Sequence, residues 1–230
     1  MFLDIMVSNL HQSIFRYPEV LRYLESRQVT QEDVKKYGLG FNKIIHVPEE
    51  QSKDRERFMA ETYKGKKFEG KIIFPFRDML GNIVGIAGRS IDVKDYKLWA
   101  TDRAKHDGFF FGLHEALPFV YEENKVFTVE GTFDCIALAK AFPNTVGTLT
   151  SGINDVQYGL LRMFCSTIIT VFDSDSAGRH GTEKAEERNG VVSVDLGYKD
   201  PAKALETLGV PGFKRYTLKK INDTVPLFLR

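Results

Sequence analysis

At 230 residues the chain is long enough for one large domain or two small ones, each with a buried core. Hydrophobic residues make up 43% and charged residues 27%, and no apolar run approaches the roughly 18 residues of a membrane span. The early acid Asp4 argues against a secretion signal, and the net charge of +1 gives no sign of a nucleic-acid partner. We therefore expect a cytoplasmic protein without a membrane partner, whose basic surfaces, if any, are local.

The first part of the chain predicts a mixed region of helices and strands. Apolar residues at helical spacing predict a helix over 18–27, and a sequence like a capping box predicts a second helix that opens after Thr30. Residues 71–91 predict a β-hairpin, in which Pro75 suggests an edge strand. Residues 92–112 predict loops.

Beyond residue 122, apolar strand patterns alternate with helical patterns. The predicted strands are 126–129, 145–149, 166–172 and 191–194, and the predicted helices between them are 132–142, 154–164 and 177–189. A last short helix begins at Pro201 after the N-cap Asp200 and ends near Gly209. This alternation implies βαβ units and a mostly parallel sheet. We therefore predict an N-terminal subdomain over 1–122, a catalytic domain over 123–212 and a C-terminal tail over 213–230.

Acids follow two of the predicted strands, where the chemistry of a parallel sheet is usually found. Glu130 ends one strand, and Gly131 permits a tight turn into the next helix; Asp173 and Asp175 close the most apolar strand. Alternation places Asp173 and Asp175 on the same face of an extended chain. Two carboxylates about 4 Å apart repel by roughly 4 kcal/mol, so the pair holds either a proton or a cation. Oxygen ligands in a half-open site favour magnesium.

The Asp-x-Asp pair alone leaves other interpretations open, because the pattern is common. The aspartyl nucleophile of a haloacid-dehalogenase-like phosphatase is one alternative. A calcium-binding loop fails, since its twelfth position would be Lys184 instead of Glu. Two cysteines, Cys135 and Cys165, cannot form a four-ligand structural zinc site, so we expect no zinc and two reduced core thiols.

Four segments, in family order, resemble the RNA-polymerase core of bacterial DnaG-type primases. They are YLESRQVTQEDVKKYGLGF, KIIFPFRDMLGNIVGIAGRSI, VEGTFDCIALAKAF and VFDSDSAGRHGTEKA. The last two are similar to the first strand-turn-helix and the Asp-x-Asp segment of the TOPRIM fold. The resemblance implies an α/β fold with a TOPRIM-type, mostly parallel sheet flanked by helices and preceded by a mixed α+β N-terminal subdomain. It also implies a DNA-directed RNA polymerase that makes primers for DNA replication.

The resemblance implies a role for each matching residue. The metal-binding acids would be Glu130, Asp173 and Asp175, with Asp134 as a further catalytic acid, and magnesium, or alternatively manganese, as the metal. Asp200 matches the first acid of an Asp-Pro-Asp segment whose second acid is replaced by Ala202, which weakens a third metal position. The basic residues expected to contact template or nucleotide phosphates are Lys67, Lys71, Arg77, Arg89 and Lys97, with Arg179 as a further candidate.

The resemblance also predicts the partners. The substrates would be single-stranded DNA template and ribonucleoside triphosphates. The family usually carries an N-terminal zinc ribbon, and this chain opens directly in the polymerase core without a helicase-interaction domain, so we expect a separate zinc-ribbon or replicative helicase protein. A free-standing core suits a phage or another mobile element. Two other functions stay open: a metal-dependent TOPRIM nuclease and a non-catalytic DNA-binding subunit of the primosome.

Overall fold

A computed structural model describes residues 2–93, 95–174, 178, 181–182 and 185–226. The chain divides into two compact units, Met1–Phe109 and Phe110–Arg230. The division comes earlier than the predicted boundary at 122, because the helix that precedes this boundary contacts strands of the second unit. Among the helices of the described residues, none combines the length and the apolar character that a bilayer crossing demands.

In its described residues, the first unit contains five helices, one 3-10 turn and a four-stranded sheet. The helices are α1 (Phe2–Ile14), α2 (Pro18–Ser26), α3 (Gln31–Tyr37), α4 (Lys53–Glu61) and α5 (Asp102–Asp107), and the 3-10 turn is Lys66–Phe68. The strands are β1 (Gly40–Phe41), β2 (Ile72–Arg77), β3 (Ile83–Arg89) and β4 (Tyr96–Ala100), all antiparallel in the order β1-β2-β3-β4. The predicted capping box opens α3: the backbone N–H of Asp33 donates to the Thr30 hydroxyl at 3.2 Å.

The predicted hairpin is confirmed as β2 and β3. The carboxylate of Asp78 accepts the backbone N–H groups of Leu80 and Asn82, both at 2.9 Å, and so closes the turn. The prediction that Pro75 marks an edge strand is wrong, since β2 lies between β1 and β3. The proline is tolerated because β1 pairs only with Ile72 and Ile73 and ends before reaching it.

The predicted loop over 92–112 is also wrong, since it contains β4 and α5. The strand β4 is short and alternates weakly, with Tyr96 and Leu98 exposed and Trp99 buried. Its backbone pairs with β3 from Gly85 to Arg89. Tertiary pairing therefore stabilises a strand whose own sequence predicts it poorly.

The second unit confirms the α/β fold with a parallel sheet flanked by helices. Its strands are β5 (Lys125–Val129), β6 (Thr145–Gly147), β7 (Thr167–Thr170) and β8 (Val191–Ser193), in the order β6-β5-β7-β8. Its described helices are α6 (Leu113–Glu123), α7 (Thr132–Ala139), α8 (Asp155–Arg162) and α9 (Pro201–Thr224). The predicted helix over 177–189 lies largely outside the described residues.

The helix α9 corrects the prediction of a C-terminal tail over 213–230. Gly209 interrupts the helix at φ 63 and ψ 164, where the sequence predicted its end, but helical structure continues to Thr224. Phe213, Thr217 and Ile221 are buried and recur every four residues, so they form one face of the helix. Burial of this face stabilises a segment that the short predicted helix left out.

Candidate active site

Two of the predicted acids lie at the carboxyl edge of the parallel sheet. The strands β5 and β7 are neighbours, Glu130 directly follows β5, and Asp173 follows β7. The pairing extends past β7, because the backbone N–H of Val171 donates to the carbonyl of Thr128 at 2.8 Å. The positions of both acids therefore follow from a rule that can be applied to the sequence: neighbouring parallel strands have their carboxyl ends at the same edge of the sheet.

Gly178 shows how close the two acid-bearing segments come. A Cβ atom at Gly178 would lie 2.0 Å from the carbonyl oxygen of Asp173 and 2.9 Å from Oε1 of Glu130. Only a residue without a side chain fits between these atoms. The glycine therefore brings its own backbone against Asp173 and the carboxylate of Glu130 at once.

The residues present fit a hard divalent cation in their chemistry. Glu130 and Asp173, two of the predicted ligands, are half-buried carboxylates, and the approach at Gly178 shows that their segments meet. Asp175, the third predicted ligand, lies outside the described residues, as does Arg179. Within the part of the chain that is described, no three acidic, histidine or cysteine side chains form a group that could hold a metal ion.

Asp134 and Asp200 meet at the start of α9. Oδ1 of Asp134 accepts the backbone N–H of Ala202 at 3.1 Å, and Oδ1 of Asp200 accepts that of Lys203 at 2.7 Å. Both carboxylates therefore bind N–H groups that the first turn of a helix leaves unsatisfied, at the positive end of its dipole. The structure gives each acid a structural contact; their catalytic and metal-binding roles stay predictions.

A hydrogen bond links the segment after β7 to the segment before α9. The backbone N–H of Ser174 donates to the carbonyl of Lys199 at 3.0 Å. The residue after Asp173 is thus bonded to the residue before Asp200. The first turn of α9 is held both by Asp134 and by this link.

A cavity of about 770 Å³ lies beside Asp173, beyond the ends of β7 and β8. One wall is the second half of α9, which contributes Tyr216, Lys219 and Lys220, and the hydroxyl of Tyr216 donates to the carbonyl of Leu196 at 2.7 Å. Sequence reasoning missed these residues because it assigned them to a tail. The four-residue spacing of Phe213, Thr217 and Ile221 is the signal that would have found them.

In the first unit, two of the predicted basic residues share one carboxylate. The ammonium groups of Lys71 and Lys97 lie 2.9 Å and 2.7 Å from the two oxygens of Asp95. Hydrogen bonds from Lys97 and then Lys71 hold the pKa of Asp95 below its ordinary value. The three side chains form a cluster at the start of β4, which we call the Asp95 cluster.

The two predicted arginines do not join this cluster. Arg89 is paired with Tyr96, whereas Lys97 is paired with Gly88, so Arg89 and Lys97 point to opposite faces of the sheet. Arg77 lies at the turn end of the hairpin, where it donates a hydrogen bond of 3.4 Å to the carbonyl of Tyr37.

Lys67 lies on the 3-10 turn, where its ammonium group sits 4.8 Å from the centre of the Tyr63 ring. The basic residues predicted for template contact in the described residues therefore occupy several places on the first unit instead of one.

Comparison with known proteins agrees with both halves of this description. Residues 7–105 match the family described as "DNA primase catalytic core, N-terminal domain", and residues 127–205 match the family described as "Toprim-like". The DNA primase of Helicobacter pylori (strain J99) is 28% identical over 238 residues, which cover 94% of this chain. The chain spans only 43% of the length of that relative.

Solved structures show the same fold. A DNA primase domain from Pseudomonas aeruginosa is 25% identical, with a TM-score of 0.76, over 95% of this chain and 77% of that one. A DnaG primase catalytic domain bound to single-stranded DNA is 22% identical, with a TM-score of 0.67, over 86% of this chain and 70% of that one. With matching domains in this order and acids at the expected strand ends, the chain belongs to the catalytic cores of DnaG-type DNA primases.

Proposed function

We propose that this chain is a DNA-directed RNA polymerase that joins ribonucleotides into short primers on single-stranded DNA during replication. The observation that carries the proposal is the meeting of Glu130 and Asp173 at Gly178, at the carboxyl edge of the parallel sheet. This edge lies in the Toprim-like half of a chain whose other half matches the N-terminal domain of primases. Membership of the primase family supports the reaction, although the chain covers less than half of its curated relatives.

Primases of the TOPRIM type depend on a divalent metal ion. We propose that Glu130, Asp173 and Asp175 hold magnesium, with manganese as the alternative, and that zinc has no part in the site. When bound, such an ion neutralises phosphate charge and acts as a Lewis acid. The carboxylates of Glu130 and Asp173 would orient it at the sheet edge, while Asp134 and Asp200 fix the start of α9 beside them.

The cavity beside Asp173 suits a nucleoside triphosphate in size, since small-molecule sites typically enclose about 300–1,000 Å³. Lys219 and Lys220 line it and would offset phosphate charge, and a bound cation would offset the carboxylates of Asp173, Glu186, Asp195 and Asp223, which line it too. Phe172 and Tyr216 supply its aromatic lining. We therefore place the incoming ribonucleotide in this cavity, with its phosphates toward Asp173.

For the template, we propose phosphate contacts from the basic residues of the first unit. The solved DnaG catalytic domain with single-stranded DNA supports this ligand for the present chain. Lys71 and Lys97 would bind phosphate together, while Arg77 and Arg89 would contact the strand elsewhere. Template selection would come from a separate zinc-ribbon or helicase protein in the cytoplasm.

The test is primer synthesis on a single-stranded template, with labelled ribonucleotides and magnesium. We expect short labelled RNA from the wild-type chain and none from Asp173→Asn, which keeps the size of the side chain and removes its charge. Arg103→Ala is the control, because Arg103 is exposed and forms an ion pair with Asp107 on its own helix. DNA cleavage without ribonucleotides would establish the nuclease alternative instead.

Synthesis by Asp173→Asn at the wild-type rate would refute the assignment of the acids. If the chain bound template but made no RNA, with or without partner proteins, the remaining function would be that of a non-catalytic primosome subunit.

A further inference from the structure

The backbone just after α4 adopts a conformation that its residues disfavour. Tyr63, Lys64 and Gly65 have φ angles of 51, 58 and 89, so three consecutive residues lie in the left-handed region. Glycine enters this region readily, whereas a side chain with a Cβ atom is strained there. Turns of this kind usually carry Asn or Gly, and here they carry tyrosine and lysine.

Hydrogen bonds to the last turn of α4 hold this backbone in place. Thr62 is only 2% exposed, and its hydroxyl donates to the carbonyl of Phe58 at 2.6 Å and accepts the backbone N–H of Gly65 at 2.9 Å. The backbone N–H of Lys64 donates to the carbonyl of Met59 at 2.8 Å. The strained residues are therefore fixed by α4, and such local strain tends to persist at sites with a function.

The turn presents an aromatic ring among cations. Tyr63 is 68% exposed, and Lys64, Lys66 and Lys67 around it are all exposed. The ammonium group of Lys67 lies 4.8 Å from the centre of the Tyr63 ring. An exposed aromatic ring bordered by lysines combines the two features that proteins use to hold single-stranded nucleic acid.

The two acids on either side of the turn each contact another group of the protein. Glu61 lies 3.6 Å from the guanidinium group of Arg57, and Oε1 of Glu69 accepts the backbone N–H of Ile45 at 3.4 Å. A bond to a neutral N–H leaves the charge of Glu69 in place, and Arg57 also pairs with Asp54 and Asp102, so these acids offset part of the charge of the three lysines. The local charge stays positive although the chain as a whole carries only +1.

The basic surface continues from this turn toward the Asp95 cluster. A Cβ atom at Gly88 would lie 2.7 Å from the ring of Phe68 and 3.3 Å from Cδ of Lys71, and Gly88 is paired with Lys97. Phe68 directly follows Lys67 in the chain. The lysines of the turn and those of the Asp95 cluster therefore flank the same buried phenylalanine.

We propose that residues 63–67 bind a single strand of nucleic acid, with one base stacked on the Tyr63 ring and its phosphates on Lys64, Lys66 and Lys67. The site holds the strand without reading its sequence, because every base offers a flat face. The identification of this strand as the DNA template rests on the proposed function. The binding itself does not.

The test measures binding of a fluorescent oligothymidylate to the full chain by anisotropy, in chelator and without ribonucleotides. Tyr63→Ala should weaken binding about 5- to 150-fold, and Tyr63→Phe should bind like the wild type. Tyr63→Gly should also bind weakly yet unfold at a higher temperature, because glycine relieves the left-handed strain. Tyr121→Ala, at a tyrosine that is 61% exposed in the second unit, is the matched control and should leave oligothymidylate binding unchanged.

The lysines are tested by the salt dependence of binding. Each single change to alanine at Lys64, Lys66 or Lys67 should reduce the slope of log K against log salt by about 0.7. Binding of Tyr63→Gly at the wild-type level, or equal losses in Tyr63→Phe and Tyr63→Ala, would overturn the proposal.

Because binding is measured in chelator and without ribonucleotides, a failure of this proposal can be told apart from a failure of the proposed polymerase activity. If Tyr63 is needed for binding and the chain makes no RNA, only the proposed function fails. If the chain makes primers and Tyr63→Gly binds template normally, only the present inference fails.

Discussion

The change Gly178→Ala should weaken metal binding more than its size suggests. The new Cβ atom would lie 2.0 Å from the carbonyl oxygen of Asp173, whereas ordinary contacts begin at 3.4 Å, so a gap of about 1.4 Å (3.4 − 2.0) must open. The same atom would lie 2.9 Å from Oε1 of Glu130. Relief of the clash therefore displaces the backbone of one predicted metal ligand or the carboxylate of another.

The expected magnitudes follow from similar perturbations. Changes beside metal ligands typically cost 10- to 100-fold in metal affinity, and functional geometry tolerates displacements of only about 0.5 Å. Overpacking costs about 1–3 kcal/mol, and each kcal/mol lowers the unfolding temperature of a chain this long by about 2–4 °C. Isothermal titration with magnesium and manganese, together with thermal unfolding, measures both effects.

Gly159→Ala makes the same chemical change where the structure leaves room. Gly159 is exposed inside α8, and a Cβ atom there would have no neighbour within 4 Å. Because alanine favours a helix interior, the variant should gain up to about 1 kcal/mol and bind metal unchanged. If Gly178→Ala bound metal and unfolded like the wild type, the close approach of the two acid-bearing segments would be refuted.

Three further predictions concern single groups. Asp95→Asn should raise the affinity for single-stranded DNA and steepen its salt dependence, because the two lysines lose their carboxylate; unchanged binding would separate this cluster from the template. Asp134→Ala should cost about 1.5–3 kcal/mol in urea unfolding and Asp134→Asn less, since only the amide keeps an acceptor for α9; equal losses would contradict the capping contact. Burial raises the pKa of the Cys165 thiol from 9.0 to about 11. The unfolded chain therefore releases this proton first as the pH rises, so the free energy of unfolding should fall between about pH 9 and 11, and this fall should be smaller in Cys165→Ala.

Much of the parallel sheet could be predicted from the sequence because its strands are buried on both faces. Such strands are short runs rich in β-branched and aromatic residues, as β5 and β7 are, and they contrast with the helices between them. The strand β4 and the second half of α9 were missed for the opposite reason. Their stability comes from pairing and from one buried face, which local sequence shows weakly.

The positions of the predicted acids followed from the sequence, and those of the predicted cations did so less; their roles stay predictions. Glu130 and Asp173 follow strands, and the edge rule brings the ends of neighbouring parallel strands together. Arg77 and Arg89 looked equivalent in sequence, but the antiparallel register separates them by about five residues along β2, or roughly 17 Å. The sharing of Asp95 by two lysines depends on side-chain positions that no local pattern specifies.

The helix α9 connects these observations. Its first turn is bound by Asp134, which follows one acid-bearing strand, and is linked through Lys199 to Ser174, which follows the other. Its second half carries Lys219 and Lys220 along the cavity beside Asp173. Because Gly209 interrupts the helix between these two halves, the segment can meet the acids at one end and still turn its lysines toward the cavity at the other. The segment that the sequence suggested was a tail is therefore a wall of the candidate active site.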